Sequence, residues 1–312
     1  MPGQSNKKCN IYHKLLMMFR ARKIIFLLLI LTFTGRLLAQ GTLQFKMGFD
    51  EISGSTTTLE EVSGLSFPIT NHYNRPERIS GISGNALRLD GFSTWVSLYP
   101  FGLNEFHDQL SIETWYATEA FNYEKSSVLS QQSATKGISL SIDRFGSVLL
   151  EFYADQQYFQ LMTTQKISTY SWNHLVAVID LTDQIARIYV NGEVWESQET
   201  GSHSSIQLAT DQPLFVGRST DFHAVGGFPV SCLNGALDEL SMHNYALTED
   251  QIISHYRQFQ HVIPNLWIDP EWRHGQDWLR PRYHAMPNTG WTNEPYGLMF
   301  ADDKYHLFFQ KN

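Results

Sequence analysis

Leu175-Val176-Ala177-Val178-Ile179-Asp180-Leu181, followed by Ile185-Ala186-Arg187-Ile188-Tyr189-Val190, then Asn191-Gly192, then Glu193-Val194-Trp195, is the stretch on which the fold turns. The first run is apolar at consecutive positions and rich in β-branched residues, as a central strand covered on both faces must be. The second run follows closely. Asn-Gly then supplies the two positive-φ positions of a type I′ turn, so the pair around it reads as a β-hairpin. Working outward, turn residues recur between short segments that alternate apolar and polar side chains from Gly41 to about Met242. Regular short strands punctuated in this way indicate an antiparallel sandwich or barrel. In Ile138-Ser139-Leu140-Ser141-Ile142 the serines alternate with aliphatics, which predicts a strand with one buried and one wet face.

One helix is expected. Thr248-Glu249-Asp250-Gln251 forms a capping box, in which the Thr hydroxyl and the Gln side chain three residues on each satisfy an otherwise orphaned backbone N–H. Ile252, Ile253, Tyr256 and Phe259 would share a face and close the sandwich. Beyond it the composition shifts to Pro264, Trp267, Pro270, Trp272, Trp278 and Pro281 without periodicity, which places a linker at about 260–280.

Bulk properties narrow the function. The 312 residues are 42% hydrophobic and 17% charged, enough to bury a core, and 13% are aromatic. A formal charge of -8 argues against nucleic-acid or anionic-membrane surfaces, which need clustered Lys and Arg. Residues 1–40 carry Lys7, Lys8, Arg20, Arg22 and Lys23, an apolar run from Ile24 to Phe33, and Leu37-Leu38-Ala39; this reads as a signal peptide. The run is shorter than the roughly 20 residues that a spanning helix needs, although Arg36 in the cleavage region leaves an uncleaved anchor open. The expectation is export to the periplasm, the cell surface or the medium, with no stable membrane insertion after cleavage. Cys9 lies in the leader and Cys232 stands alone after it, so no disulfide scaffold is expected.

Six segments occur in a familiar order: Gly84-Asn85-Ala86-Leu87-Arg88-Leu89-Asp90-Gly91, Leu110-Ser111-Ile112-Glu113-Thr114-Trp115, Trp172-Asn173-His174-Leu175-Val176-Ala177, Ile188-Tyr189-Val190-Asn191-Gly192, Val216-Gly217-Arg218 and Gly235-Ala236-Leu237-Asp238-Glu239-Leu240. Together they resemble the LamG-like jellyroll domains of the concanavalin A-like lectins and glucanases. The resemblance implies an all-β fold, an antiparallel jellyroll sandwich over 41–259. Such domains bind sugars, bind proteins or space other modules. Some hold calcium near the first and last strands, where this chain has Asp50 and Asp238. By strand parity Asp238 is expected beside Ala236, Leu240 and Met242, where its carboxylate needs either a cation or hydrogen-bond donors. Structural calcium is therefore a candidate, with backbone amides or an Arg as the alternative; no other cofactor is expected. Trp95, Tyr123, Tyr158, Phe159 and Trp195 are candidate stacking platforms for sugar, with burial in the core as the alternative.

Residues 281–312 carry a second resemblance. Arg280-Pro281-Arg282-Tyr283-His284, Trp291-Thr292-Asn293-Glu294-Pro295-Tyr296-Gly297 and Tyr305-His306-Leu307-Phe308-Phe309-Gln310-Lys311-Asn312 resemble the opening of the family-32 glycoside hydrolases, the invertases, levanases and inulinases, which are five-bladed β-propellers. The resemblance implies an incomplete first blade here. It also implies an O-glycosyl hydrolase acting on a fructan-like oligosaccharide or polysaccharide. Glu294 takes the place of the family's nucleophilic Asp. Asn293 and Gln310 would bind sugar hydroxyls, and Trp291 would wall the pocket. Glu at that place and Tyr296 in place of Asn depart from the family and put the fructan substrate in question. A retaining glycosidase needs a second carboxyl about 5 to 5.5 Å away; in this family it comes later in the chain, so residues 1–312 alone are expected to be inactive. The rival readings are a secreted binding or adhesion module without catalysis, with Glu294 a turn residue before Pro295, and a catalytic jellyroll. The last requires a run of paired Glu residues that is missing between Gly41 and Met242.

Overall fold

The computed structural model describes residues 41–71, 75–99, 106–221, 223–225, 228–229, 231–267 and 292–311. In chain order the strands are β1 (Leu43–Met47), β2 (Thr57–Glu60), β3 (Leu65–Thr70), β4 (Glu77–Ser80), β5 (Asn85–Asp90), β6 (Trp95–Leu98), β7 (Gln109–Ala117), β8 (Ser126–Gln132), β9 (Gly137–Ile142) and β10 (Val148–Ala154). They continue with β11 (Gln157–Met162), β12 (Asn173–Asp180), β13 (Ile185–Val190), β14 (Glu193–Glu199), β15 (Leu214–Val216), β16 (Ala224–Val225), β17 (Phe228–Pro229), β18 (Asn234–His243), β19 (Thr292–Ala301) and β20 (Lys304–Lys311). The helix α1 spans Glu249–Phe259. One sheet runs β14-β13-β12-β7-β18-β5-β4, with β1 also paired to β18. The other runs β11-β10-β9-β8-β15-β6-β3-β2. The pairings are antiparallel and neighbours in space are often distant in sequence, which is the jellyroll sandwich the sequence implied.

The hairpin that opened the sequence reading forms as expected. Val190 pairs with Glu193, and the two residues between them, Asn191 and Gly192, have φ of 55° and 82°. β12 is buried along its whole length. Leu175, Ala177 and Ile179 enter the core between the sheets, where they meet Phe45, Leu110, Ile112 and Ile188. Val176 and Val178 point the other way and pack with Tyr189, Leu247 and Ile252. The second face is therefore covered by α1, whose N-cap Thr248 and Gln251 make the expected capping box. Burying one such Ile contributes about 2 kcal/mol.

Three expectations need correction. Ser139 and Ser141 on β9 are fully buried, not wet. Their hydroxyls join those of Ser127 and Ser219 in a cluster with O···O distances of 2.7–3.2 Å, the last Ser coming from the segment after β15. Parity along β18 also breaks. Glu239 adopts φ of 49° and the register with β7 shifts between Asp238 and Ser241, so Leu240 and Met242 enter the inter-sheet core while Asp238 stays on the face of Ala236. Finally, the expected linker begins as packed structure. Val262 and Leu266 lie with Phe259, Trp115, Trp172, Ile82 and Ala86, so this part of the chain straps across the outer face of the first sheet. The rest of the expected linker, from 268 onward, and the expected leader lie outside the described residues. Among the described residues no helix is long and apolar enough to cross a membrane.

β19 and β20 form a separate two-stranded antiparallel hairpin. Leu298, Phe300, Tyr305 and Phe308 are exposed on it. A two-stranded hairpin is marginal in water on its own and needs further strands or a covering layer.

Candidate functional site

Asn293 on β19 is the register partner of Gln310 on β20, so the two residues assigned to sugar binding are directly opposed in the ladder. The register then slips between Asn293 and Pro295, leaving Glu294 as the extra residue of a β-bulge, and slips again between Tyr296 and Leu298. Gly297, at φ 59°, sits in the second irregularity. Pro295 has no N–H to give to the ladder, which favours a bulge at this point. Bulges bend a strand and re-aim the extra residue, and they are frequent beside active sites. Trp291 lies outside the described residues.

Asp50 and Asp238 flank one turn, 81–84, between β4 and β5. Asp238 is fully buried. Its Oδ2 accepts the N–H groups of Ile82 (2.6 Å) and Ser83 (3.2 Å), and its Oδ1 that of Glu239 (2.8 Å). Burial pushes its carboxyl up to about 7, against the pull of these amides. Asp50 is exposed, and its Oδ1 accepts the N–H of Asn85 at 2.9 Å. Calcium takes six to eight oxygens, and no group of three or more His, Cys, Asp or Glu placed to hold a metal occurs among the described residues. The backbone amides of Ile82, Ser83 and Glu239 thus reach the Asp238 carboxyl.

Of the candidate sugar platforms, Trp95 (8% exposed) and Phe159 (4%) are core, and Trp195 is half-buried against the core. Tyr123 and Tyr158 are exposed. Tyr158 hangs its hydroxyl on Glu151 Oε1 at 2.7 Å, and Glu151 also receives Lys125 Nζ at 2.6 Å.

A polar cluster that sequence reasoning missed lies between the first sheet and α1. Glu113 on β7 is buried, and His174 Nε2 on β12 lies 2.7 Å from its Oε1. His255 Nδ1, from α1, lies 2.9 and 3.2 Å from the two carboxylate oxygens. His243 Nε2 on β18 is 3.9 Å away and 3.2 Å from Ser241 Oγ. Burial alone would raise the Glu113 carboxyl, but the hydrogen bonds and charges of His174 and His255 outweigh it and hold the carboxyl at about 2. His255 is raised by its hydrogen bond to Glu113; His243 is lowered by burial. Trp115 and Tyr256 stack alongside His174. The cluster fastens α1 to the sheet. Its signal in the sequence was a charged or imidazole residue on the face of β7, β12 and β18 opposite the inter-sheet core, the face of Trp115, Val176 and Val178.

Comparison with known proteins agrees with both parts of this architecture. Residues 90–253, more than half of the chain, match the family model described as the concanavalin A-like lectin/glucanases superfamily. The chain belongs to that superfamily. Residues 284–312 match the glycosyl hydrolases family 32 N-terminal domain. Over 30 residues the chain is 53% identical to the sucrose-6-phosphate hydrolase of Zymomonas mobilis subsp. mobilis, which is 10% of this chain and 6% of that protein. Over 41 residues it is 44% identical to the fructan 6-exohydrolase of Triticum aestivum, 13% of this chain and 7% of that one. Over 38 residues it is 45% identical to the raffinose invertase of Escherichia coli, 12% of this chain and 8% of that one. The matched stretches thus span well under a tenth of these relatives. Among solved structures, domain 4 of AbnA, a GH43 extracellular arabinanase from Geobacillus stearothermophilus in complex with arabinotriose, is similar with a TM-score of 0.52 and 19% identity over 69% of this chain and 98% of that one. The binding domain of Paraclostridial Mosquitocidal Protein 1 gives 0.52 and 13%, over 69% of this chain and 51% of that one. At these identities the likeness is one of fold.

Proposed function

We propose that this chain is the N-terminal part of a secreted carbohydrate-active enzyme, in which residues 1–40 direct export, 41–259 form an accessory jellyroll, and 281–312 open a glycosidase propeller after a linker at about 260–280. Glu294 is the nucleophile that attacks the anomeric carbon of a fructan-like substrate by double displacement. Asn293 and Gln310 hold sugar hydroxyls, and Trp291 walls the pocket. The observation that carries the reading is the bulge at Asn293-Glu294-Pro295, inside the stretch that matches the family-32 model. A bulge singles out one residue from the ladder, and here that residue is a carboxylate.

The chemistry asks for a second carboxyl about 5 to 5.5 Å from the first, to protonate the leaving oxygen. Residues 1–312 on their own therefore carry no hydrolase activity in this reading, and the full polypeptide of the source does. The test is hydrolysis of sucrose, inulin and levan by that polypeptide and by its Glu294→Gln variant. A fall of three orders of magnitude or more in kcat for the variant is expected. Unchanged turnover in Glu294→Gln would remove the nucleophile assignment. Failure of the native polypeptide on every fructan would favour the rival, a secreted carbohydrate-binding module without catalysis, for which the likeness to an arabinanase domain solved with arabinotriose speaks.

A further inference from the structure

Three loops close one end of the sandwich: 118–125 between β7 and β8, 143–147 between β9 and β10, and 163–172 between β11 and β12. They are bound to one another. The N–H of Tyr170 donates to the carbonyl of Thr118 at 2.7 Å, and that of Ile167 to the carbonyl of Gly146 at 2.9 Å. Gly146, at φ 91°, lies so close to the Phe121 ring that an added Cβ would come within 2.5 Å of it. On this base three rings stand out into solvent: Tyr123 is 69% exposed, Phe145 52% and Tyr170 65%.

Two cations gather at the Phe145 ring. The guanidinium carbon of Arg144 lies 4.7 Å from the Phe145 centroid and Lys166 Nζ lies 5.1 Å from it. Their charges are therefore no further apart than a Debye length, about 10 Å at 0.1 M salt, and they repel each other. Five cations of the sandwich are answered by carboxylates: Lys46 by Glu61 and Glu239, Arg78 by Glu51, Arg88 by Glu119, Lys125 by Glu151, Lys136 by Asp211. Arg144 and Lys166 have no such partner among the described residues. The neighbouring carboxylate of Asp143 is turned to the backbone, where it accepts the N–H groups of Phe145 (2.8 Å) and Ser147 (2.7 Å). A chain of net charge -8 thus holds two unanswered positive charges on an exposed aromatic ring.

We propose that this end of the jellyroll binds an acidic glycan, its uronate carboxylates taken by Arg144 and Lys166 and its C–H faces stacked on Tyr170 and Tyr123. The inference rests on the reading of the jellyroll as carbohydrate-binding and gives that reading a ligand class. A neutral sugar would use the rings and leave the cations unexplained. A densely charged polyanion would use the cations and leave the rings idle. A uronic acid polymer carries one carboxylate per sugar and apolar faces between them, so it uses both.

The test is affinity electrophoresis of the full chain in gels containing polygalacturonate, with levan, inulin and polyglutamate in parallel. Retardation by polygalacturonate is expected, weaker at higher salt. Binding should fall about tenfold in Arg144→Gln/Lys166→Gln, two surface charge contacts being removed. It should hold in Arg144→Lys/Lys166→Arg and fall in Tyr170→Ala. All these positions are exposed, and an unchanged melting temperature certifies the fold. Equal retardation by polyglutamate would reduce the surface to a charge patch and overturn the proposal. Binding of levan or inulin alone, indifferent to the double variant, would overturn it while leaving the jellyroll a carbohydrate-binding domain. No retardation by any glycan would overturn both.

Discussion

Replacing Glu113 by Gln tests whether the buried imidazole cluster fastens α1 to the sheet. The Glu113 carboxyl is held at about 2 against its ordinary 4.5. At 1.36 kcal/mol per pKa unit, that drop corresponds to roughly 3 kcal/mol of native-state stability. The group is lowered on folding, so the contribution is complete above pH 4.5 and fades as pH falls from 4.5 toward 2. His255 is raised above 6.5 by the same contact, so its share is complete below 6.5 and fades as pH rises through its elevated pKa. The variant should therefore be about 3 kcal/mol less stable than the wild type at pH 5.5, within the usual cost of breaking a buried pair by removing one partner. The difference should narrow toward both acid and alkaline pH. Urea denaturation of both proteins from pH 3 to 8, followed by Trp fluorescence, measures it. A difference below about 1 kcal/mol at pH 5.5, or one that does not change with pH, would refute the reasoning.

Asp238, raised on folding to about 7, contributes stability that is complete below pH 3.8 and is lost as pH rises through 7. Asp238→Asn should thus gain on the wild type between pH 4 and 8 in melting experiments; a constant gap would show that the amides of Ile82, Ser83 and Glu239 cancel the cost of burial. Millimolar calcium should leave the melting temperature of both proteins unchanged, and a rise confined to the wild type would place a cation at the 81–84 turn. Ile252→Ala should cost about 2 to 4 kcal/mol, because its fully buried side chain joins α1 to Val176 and Val178; a loss below 1 kcal/mol would mean that the helix is not docked. Thr248→Ala removes one half of the capping box and should cost about 1 kcal/mol in chemical denaturation.

The sequence disclosed what depends on near neighbours. β12 announced itself by a run of aliphatics, the β13–β14 turn by Asn191-Gly192, and α1 by Thr248 and Gln251. It concealed what depends on distant segments. Alternation in β9 showed which residues share a face, but not that Ser219 arrives from 78 residues later than Ser141 to cover the serine face. The bulge at Glu239 carries no glycine or proline to mark it, so parity was projected through it to Leu240 and Met242. The strap of Val262 and Leu266 looked like linker because Pro264 breaks any periodicity, yet its alternate apolar residues find Trp172 and Ile82. The imidazole cluster needed three strands and a helix brought together before Glu113 and His255 could be seen as partners. At the other end, Glu294 was legible as a motif residue, and the structure added that it is the unpaired residue of a bulge.

The central claim, that Glu294 is a glycosidase nucleophile, is tested most directly by mass spectrometry of the full-length polypeptide, acid-quenched during turnover of a fructan substrate and digested. The account predicts that the peptide containing Asn293-Glu294-Pro295 gains the mass of one sugar residue, and that the adduct disappears in Glu294→Gln. A sugar adduct on another carboxylate, or turnover without any adduct at Glu294, would contradict it.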